Sequence, residues 1–151
     1  MILVEDLLNN ARRRMKDKRY DDAAARIYRA LELYGQIYFP KLTGSSNDKV
    51  NPEMLPEEIR GEFIRKYCDR ENRFLKLPMS ATYEFLKVKG HEVGIRFFQR
   101  KKEIKNIQSN RNLSILAHGI EPVTEKAIQS IFDTVSDFIE IRSFFDFPSL
   151  P

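Results

Sequence analysis

The sequence is poor in the residues that disulfide and metal chemistry require. Its 151 residues include one cysteine, Cys68, and two histidines, His91 and His118. A single cysteine excludes an intrachain disulfide, and we expect Cys68 to be a half-buried hydrophobic residue in a reducing compartment. The wide separation of these three residues does not match zinc-type spacing, so we predict no metal site and no cofactor. His91 follows Gly90 at the expected start of a helix, and we predict that it is a cap or surface residue.

Long hydrophobic runs are also absent. No apolar stretch approaches the ~18 residues needed to span a membrane, and the first residues, MILVEDLL, become acidic too early for a signal peptide. A P-loop, a dinucleotide-binding glycine motif and a serine-nucleophile elbow are missing as well. The sequence therefore predicts a soluble, cytoplasmic protein outside the common nucleotide-binding and serine-hydrolase classes.

Positive charge is present in a small excess, with 26 Lys and Arg against 22 Asp and Glu. It is concentrated in two places. The first basic cluster consists of Arg12, Arg13, Arg14, Lys16, Lys18 and Arg19, and the second of Arg96, Arg100, Lys101, Lys102, Lys105 and Arg111. Two readings stay open: such clusters attract a polyanion such as RNA, or they are the solvated faces of helices.

Apolar residues recur at intervals of three and four through most of the chain, which predicts an all-α fold of about six helices in a bundle. Residues 4–18 and 21–39 form a helical hairpin in this prediction. Residues 40–57 are rich in Pro, Gly, Ser and Asn and are predicted to be a loop or insertion, either a substrate-contacting loop or a variable connection. We expect one domain over residues 1–151.

Later boundaries follow from capping residues. A helix resumes after Pro56 with its apolar side at Ile59, Phe63, Ile64 and Tyr67. Ser80 is the expected N-cap of the next helix, which stops at Gly90. A longer helix over residues 92–107 and a break at 108–110 precede a short motif segment, and Pro122 is expected in the opening turn of the last helix. There the apolar stripe is Ala127, Ile128, Ile131, Phe132, Val135, Phe138 and Ile139.

The segment RNLSILAHG places polar residues at helical spacing in an apolar helix. Seven residues at about 100° each bring His118 to within about 20° of Arg111 around the helix, and Ser114 lies on the same face. Asn112 flanks Arg111. An imidazole transfers protons near neutral pH, and a guanidinium stabilises the negative charge of a phosphorane-like transition state. The pair matches RNA cleavage in which the ribose 2′-hydroxyl attacks its own phosphate, a reaction that needs no metal.

The same string resembles the arginine, polar residue, spacers and histidine pattern of HEPN ribonucleases, an all-α superfamily that begins with a helical hairpin. Together with LLNNARRRMKDKRYDDAAARIYRALELYGQI and the final FPSLP, it resembles the C-terminal domain of CRISPR-associated CARF-HEPN ribonucleases of type III systems. The resemblance covers roughly the first 40 and last 60 residues.

This resemblance implies an antiviral endoribonuclease with Arg111, Asn112 and His118 as the motif residues. It also implies a homodimer in which two motif helices face each other across a two-fold axis and form one composite cleft. We expect Ser114, Arg100, Lys101 and Lys105 to bind the single-stranded RNA substrate.

In the family, an N-terminal CARF domain binds a cyclic oligoadenylate and activates the nuclease. The present sequence has no alternating strand and helix pattern and no phosphate-binding glycine loop, so we expect no CARF domain in it. It is either a C-terminal fragment or a standalone HEPN protein. Two other functions remain open: a non-catalytic helical module for dimerisation or RNA binding, and a HEPN toxin of a toxin–antitoxin pair.

Overall fold

The computed structural model describes residues 1–100, 102–104, 123–141 and 144. These residues are mainly helical, and they contain no β-strand, only isolated bridges that join Leu75 to Val50 and to Cys68. The predicted all-α class is therefore confirmed. In chain order the helices are α1 (Ile2–Lys16), α2 (Tyr20–Thr43), α3 (Glu57–Tyr67), α4 (Met79–Val88), α5 (Glu92–Gln99) and α6 (Glu125–Ile139), with a 3-10 turn at Pro52–Met54.

The chain divides into two compact units. The first unit comprises Met1–Leu33 and Lys101–Pro151, as far as the structure describes the latter, and the second comprises Tyr34–Arg100. Helix α2 belongs to the first unit up to Leu33 and to the second from Tyr34. The single domain over residues 1–151 stays a prediction.

In the first unit, α1 packs against α6. The apolar stripe predicted for α6 is confirmed, since all of its members except the partly exposed Ala127 are buried. Helix α1 contributes Val4, Leu8 and Ala11, each with no exposed surface. Each large aliphatic or aromatic side chain buried in this way stabilises the fold by roughly 1.5–3 kcal/mol.

In the second unit, α4 and α5 form a close helical pair. Gly90, with φ +72°, ends α4 in the left-handed conformation that glycine tolerates, which agrees with the predicted stop. The rings of Tyr83 and Phe97 stack with centroids 3.9 Å apart and an angle of 4°. Burial raises the pKa of the Tyr83 hydroxyl well above its ordinary value.

The predicted loop at residues 40–57 begins later than expected, because α2 continues through Pro40 to Thr43. Phe39 has no exposed surface, and the centroid of its ring lies 4.7 Å from the centroid of the Phe85 ring. This packing outweighs the penalty of a proline in the last turn. Gly44, with φ +70°, then ends the helix.

Two further helix boundaries and the buried side of one helix differ from the predictions. Helix α4 has Pro78 rather than Ser80 as its N-cap, and Met79 is already buried. Helix α5 ends at Gln99 with Arg100 as its C-cap, although residues 102–104 are again helical. Ile64 of α3 is 38% exposed, so the buried side of this helix is narrower than predicted. The predicted break at residues 108–110 and the position of Pro122 lie outside the described residues.

Candidate functional site

The motif predicted to carry the chemistry lies outside the described residues. Arg111, Asn112, Ser114 and His118 all belong to residues 105–122, as does the predicted substrate ligand Lys105. Lys101 is likewise outside the described part of the chain. Of the predicted site residues, the structure therefore places Arg100 alone, and the roles of the others stay predictions.

The chain on either side of the motif segment is ordered within the first unit. On the N-terminal side, Ile104 is helical and 1% exposed. On the C-terminal side, Thr124 caps α6, because its Oγ1 accepts a hydrogen bond of 3.2 Å from the backbone N–H of Ala127. The described chain thus stops at a buried residue before the motif segment and resumes just before a capped, core-packed helix.

Arg100 ends α5 in the second unit. Its backbone N–H donates to the carbonyl oxygen of Arg96 at 3.2 Å, and its side chain is partly exposed. Arg96 itself donates from Nη2 to the Tyr34 hydroxyl at 3.3 Å. In the second basic cluster, Arg96 thus contributes to the fold, whereas Lys102 is exposed to solvent.

Two cations of the first basic cluster share one carboxylate, that of Asp22 at the start of α2. Arg19 and Arg14 place guanidinium nitrogens 3.0 Å and 3.4 Å from its Oδ2, and Arg26 hydrogen-bonds its Oδ1. The Arg26 hydrogen bond, followed by the positive charges of Arg26, Arg19 and Arg14, holds the pKa of Asp22 below its ordinary value.

Other cations of the first cluster also have partners inside the first unit. Arg13 donates to Asn10 Oδ1 at 2.8 Å, and the Arg12 guanidinium lies 5.7 Å from the centroid of the Phe144 ring. With the Asp22 network, these contacts give four of the six cations of the first cluster partners within the first unit. Both predicted alternatives for the cluster, a polyanion site and a solvated helix face, stay predictions.

His91 and Cys68 have the structural roles that were predicted for them. His91 caps α5, since its Nδ1 accepts a hydrogen bond of 3.2 Å from the backbone N–H of Val93. Cys68 is partly buried at the C-terminal end of α3. Within the described part of the chain, the contacts of both residues are structural.

A surface cleft of about 470 Å³ lies in the second unit. It is lined by Asp48, Lys49, Asp69, Asn72, Phe74 and Lys76. Asp48 and Lys49 come from the loop at residues 40–57, for which a substrate-contacting role was one of two predicted alternatives, and the rest of the cleft comes from a connection that was not predicted as a site. Residues 74–77, Phe-Leu-Lys-Leu, alternate between outward and buried positions, as in an extended strand. In the sequence, this alternation of polar or aromatic with aliphatic residues was the signal that could have indicated an extended segment. Four residues between two helices are too few for a period-two pattern to be recognised.

Residues 1–142 match the family model described as the Csm6 HEPN domain. The chain belongs to this family. The match includes the whole of the motif from Arg111 to His118 and runs through both compact units, whereas the FPSLP ending lies beyond it. No curated protein and no solved structure matches the chain.

Membership makes this chain a HEPN domain of the nuclease class linked to CRISPR systems, and it confirms the predicted resemblance. The helical hairpin predicted from the sequence corresponds to α1 and α2, which are joined by residues 17–19 and by the Arg14–Asp22 ion pair. None of the helices in the described ranges is both long and apolar enough to cross a membrane.

Proposed function

We propose that this HEPN domain is a metal-independent endoribonuclease that cuts single-stranded RNA in the cytoplasm as part of CRISPR antiviral defence. Its active site is a composite cleft between two copies of the chain. The observation that carries the proposal is the family match over residues 1–142, because this range contains the complete motif RNLSILAHG.

The motif residues have distinct roles in this proposal. His118 moves protons, first from the attacking 2′-hydroxyl and then to the leaving 5′-oxygen, either as one residue or shared with its symmetry mate. Arg111 holds the phosphate and stabilises the extra negative charge of the transition state. Asn112 orients the phosphate. Ser114, Arg100, Lys101 and Lys105 bind the flanking RNA.

The proposed reaction is balanced without a metal ion. The 2′-oxygen forms a bond to the adjacent phosphorus while the bond from phosphorus to the 5′-oxygen breaks. The proton lost by the 2′-hydroxyl is taken by a base, and an acid supplies one to the 5′-oxygen. The products are a 2′,3′-cyclic phosphate and a 5′-hydroxyl.

The described structure supports this proposal by the way it holds the ends of the motif segment. Ile104 is anchored in the core of the first unit, and α6 continues from a capped N-terminus into the same unit. Both described flanks of the motif segment thus belong to the first unit.

The test is digestion of a single-stranded RNA in excess chelator by the wild type, by His118→Ala and by His91→Asn. We expect the wild type to leave cyclic phosphate ends and His118→Ala to lose at least about a hundred-fold in rate, as for removal of an acid or base. His91→Asn is the matched control, because asparagine also caps helices and the other histidine is then altered without touching the motif.

Two results would overturn the proposal. One is equal cutting by the wild type and His118→Ala, and the other is cutting of a substrate whose 2′-hydroxyl has been replaced by hydrogen. A different result would instead support a non-catalytic module. In that case the wild type binds RNA without cutting it, and His118→Ala has the same RNA binding and oligomeric state as the wild type.

A further inference from the structure

The cleft in the second unit is formed by side chains on backbone segments that are joined by hydrogen bonds. Val50 and Leu75 exchange backbone hydrogen bonds of 2.9 Å and 2.8 Å, and Lys76 N–H donates to the Tyr67 carbonyl oxygen at 3.2 Å. Val50 and Leu75 have no exposed surface. The adjacent residues Lys49, Phe74 and Lys76 therefore project outward from positions that the core holds in place.

Buried polar groups fix this framework further. Asn47 is 8% exposed, and its Nδ2 donates at 3.1 Å both to the Leu77 carbonyl oxygen and to Thr82 Oγ1 at the start of α4. Asp69 accepts from the backbone N–H of Glu71 at 2.8 Å, and its own N–H donates to the Phe74 carbonyl oxygen at 2.9 Å. The cleft is thus bounded by a hydrogen-bonded turn and an anchored extended segment.

The side chains that line the cleft combine an aromatic face, two ammonium groups and carboxylates. The Lys49 ammonium lies 5.1 Å from the centroid of the Phe74 ring, and Lys76 lies on the same side of the extended segment. Two lysines beside the carboxylates oppose binding of a divalent cation. An aromatic ring with neighbouring cations instead suits a ligand that has both a flat ring and an anionic group.

We propose that this cleft binds one guanine nucleotide, either free or as an unpaired residue of single-stranded RNA. The base stacks on Phe74 in place of the Lys49 ammonium, which moves to the phosphate together with Lys76. The carboxylate of Asp48 accepts hydrogen bonds from N1–H and the N2 amine of guanine, a pairing that uracil cannot offer. Asp69 keeps its role in the turn.

This inference does not depend on the proposed cleavage. The residues of the cleft belong to residues 48–76, and the motif belongs to residues 111–118. Binding in the cleft can therefore be measured with a chain that carries His118→Ala, and a failure of either proposal leaves the other standing.

The test is fluorescence anisotropy of labelled single-stranded RNA of fixed length that contains guanosine, inosine or uridine at one position, with the full chain in the His118→Ala background. Phe74→Leu keeps an apolar side chain but removes the ring face, and we expect about ten-fold weaker binding of the guanosine RNA, as for one lost base stack. Asp48→Asn should abolish the preference for guanosine over inosine, which lacks the N2 amine.

Two variants control for folding and for charge. Phe74→Tyr should restore binding, since it retains an aromatic face. Lys87→Ala removes another lysine of the second unit that covers a ring, with Nζ 4.7 Å from the Phe98 centroid, but it is not part of the cleft. It should bind as the parent does, whereas Lys76→Ala should bind more weakly and with a shallower dependence on salt.

Competition with unlabelled GMP distinguishes the two sources of the nucleotide. If Phe74→Leu weakens the binding of GMP, the cleft binds the free nucleotide. If Phe74→Leu weakens only the binding of RNA, the cleft binds a nucleotide within the RNA. The proposal is overturned if Phe74→Leu and Lys76→Ala bind GMP and guanosine RNA as tightly as Lys87→Ala does, or if guanosine and uridine RNA bind equally.

Discussion

At Gly94, α5 passes close to the backbone at the end of α4. A Cβ atom at this position would lie 2.2 Å from the Lys87 nitrogen and 2.6 Å from the Leu86 carbonyl carbon. Both are backbone atoms, so a change of rotamer cannot relieve the overlap. The pairing of these two helices therefore requires glycine here, although glycine is a poor helix former.

We expect Gly94→Ala to lower the free energy of unfolding by about 1–3 kcal/mol, because the two helices must move apart. Gly61 provides the matched control, since it lies inside α3 and a Cβ there would meet nothing within 4 Å. Gly61→Ala should raise the same quantity by about 0.5–1 kcal/mol. Urea unfolding of both variants checks the pair, and equal effects would contradict the close approach at Gly94.

At the scale of elements, the α1–α2 hairpin is held at its turn by the carboxylate of Asp22. This residue connects Arg14 of α1, Arg19 of the connection and Arg26 of α2. Its pKa is lowered in the folded chain. The resulting stabilisation is present above the pKa of an unfolded aspartate, about 3.9, and is lost as the pH falls through the lower folded value.

We therefore expect Asp22→Asn to be less stable than the wild type at pH 7, with a difference that shrinks as the pH falls below about 4. Urea unfolding across this range measures it. Asp21→Asn is the control, since Asp21 is exposed in the same first turn of α2 but lies outside the network. A difference for Asp22→Asn that is constant from pH 7 to pH 3 would show that the charge of Asp22 is not what holds the turn.

The elements that the sequence predicted well are those with a long apolar stripe. Helices α1, α2 and α6 were predicted from repeats of three and four, and their buried residues follow these repeats. Boundaries set by tertiary contacts were not predictable locally. The contact of Phe39 with Phe85 carries α2 past Pro40, and Asn47 binds groups more than 29 residues away in the chain.

The family was predictable for a different reason, whereas the roles of the motif residues stay predictions. Arg111 and His118 follow a short sequence pattern, so the family could be identified from the string, and the match over residues 1–142 bears this out. The cleft has no such pattern, because Lys49 comes from one connection and Phe74 and Lys76 from another. Only the fold brings these three side chains together.

The proposed active site requires two copies of the chain. If each composite cleft needs a motif from both copies, a dimer with one wild-type and one His118→Ala chain is inactive. In an equal, randomly exchanged mixture only about one quarter of the dimers contain two wild-type chains, so RNA cleavage should fall to about one quarter. If each chain cuts independently, it should fall to about one half.

The experiment uses two affinity tags, one on each chain type, so that sequential purification measures the mixed dimer directly. The control is the same mixture with His91→Asn in place of His118→Ala; it should keep full activity, because His91 caps α5 and lies outside the motif. A mixed dimer that keeps about half of the wild-type rate would contradict the composite cleft while leaving His118 as the acid and base within one chain. A chain that remains monomeric while cutting RNA would contradict it as well.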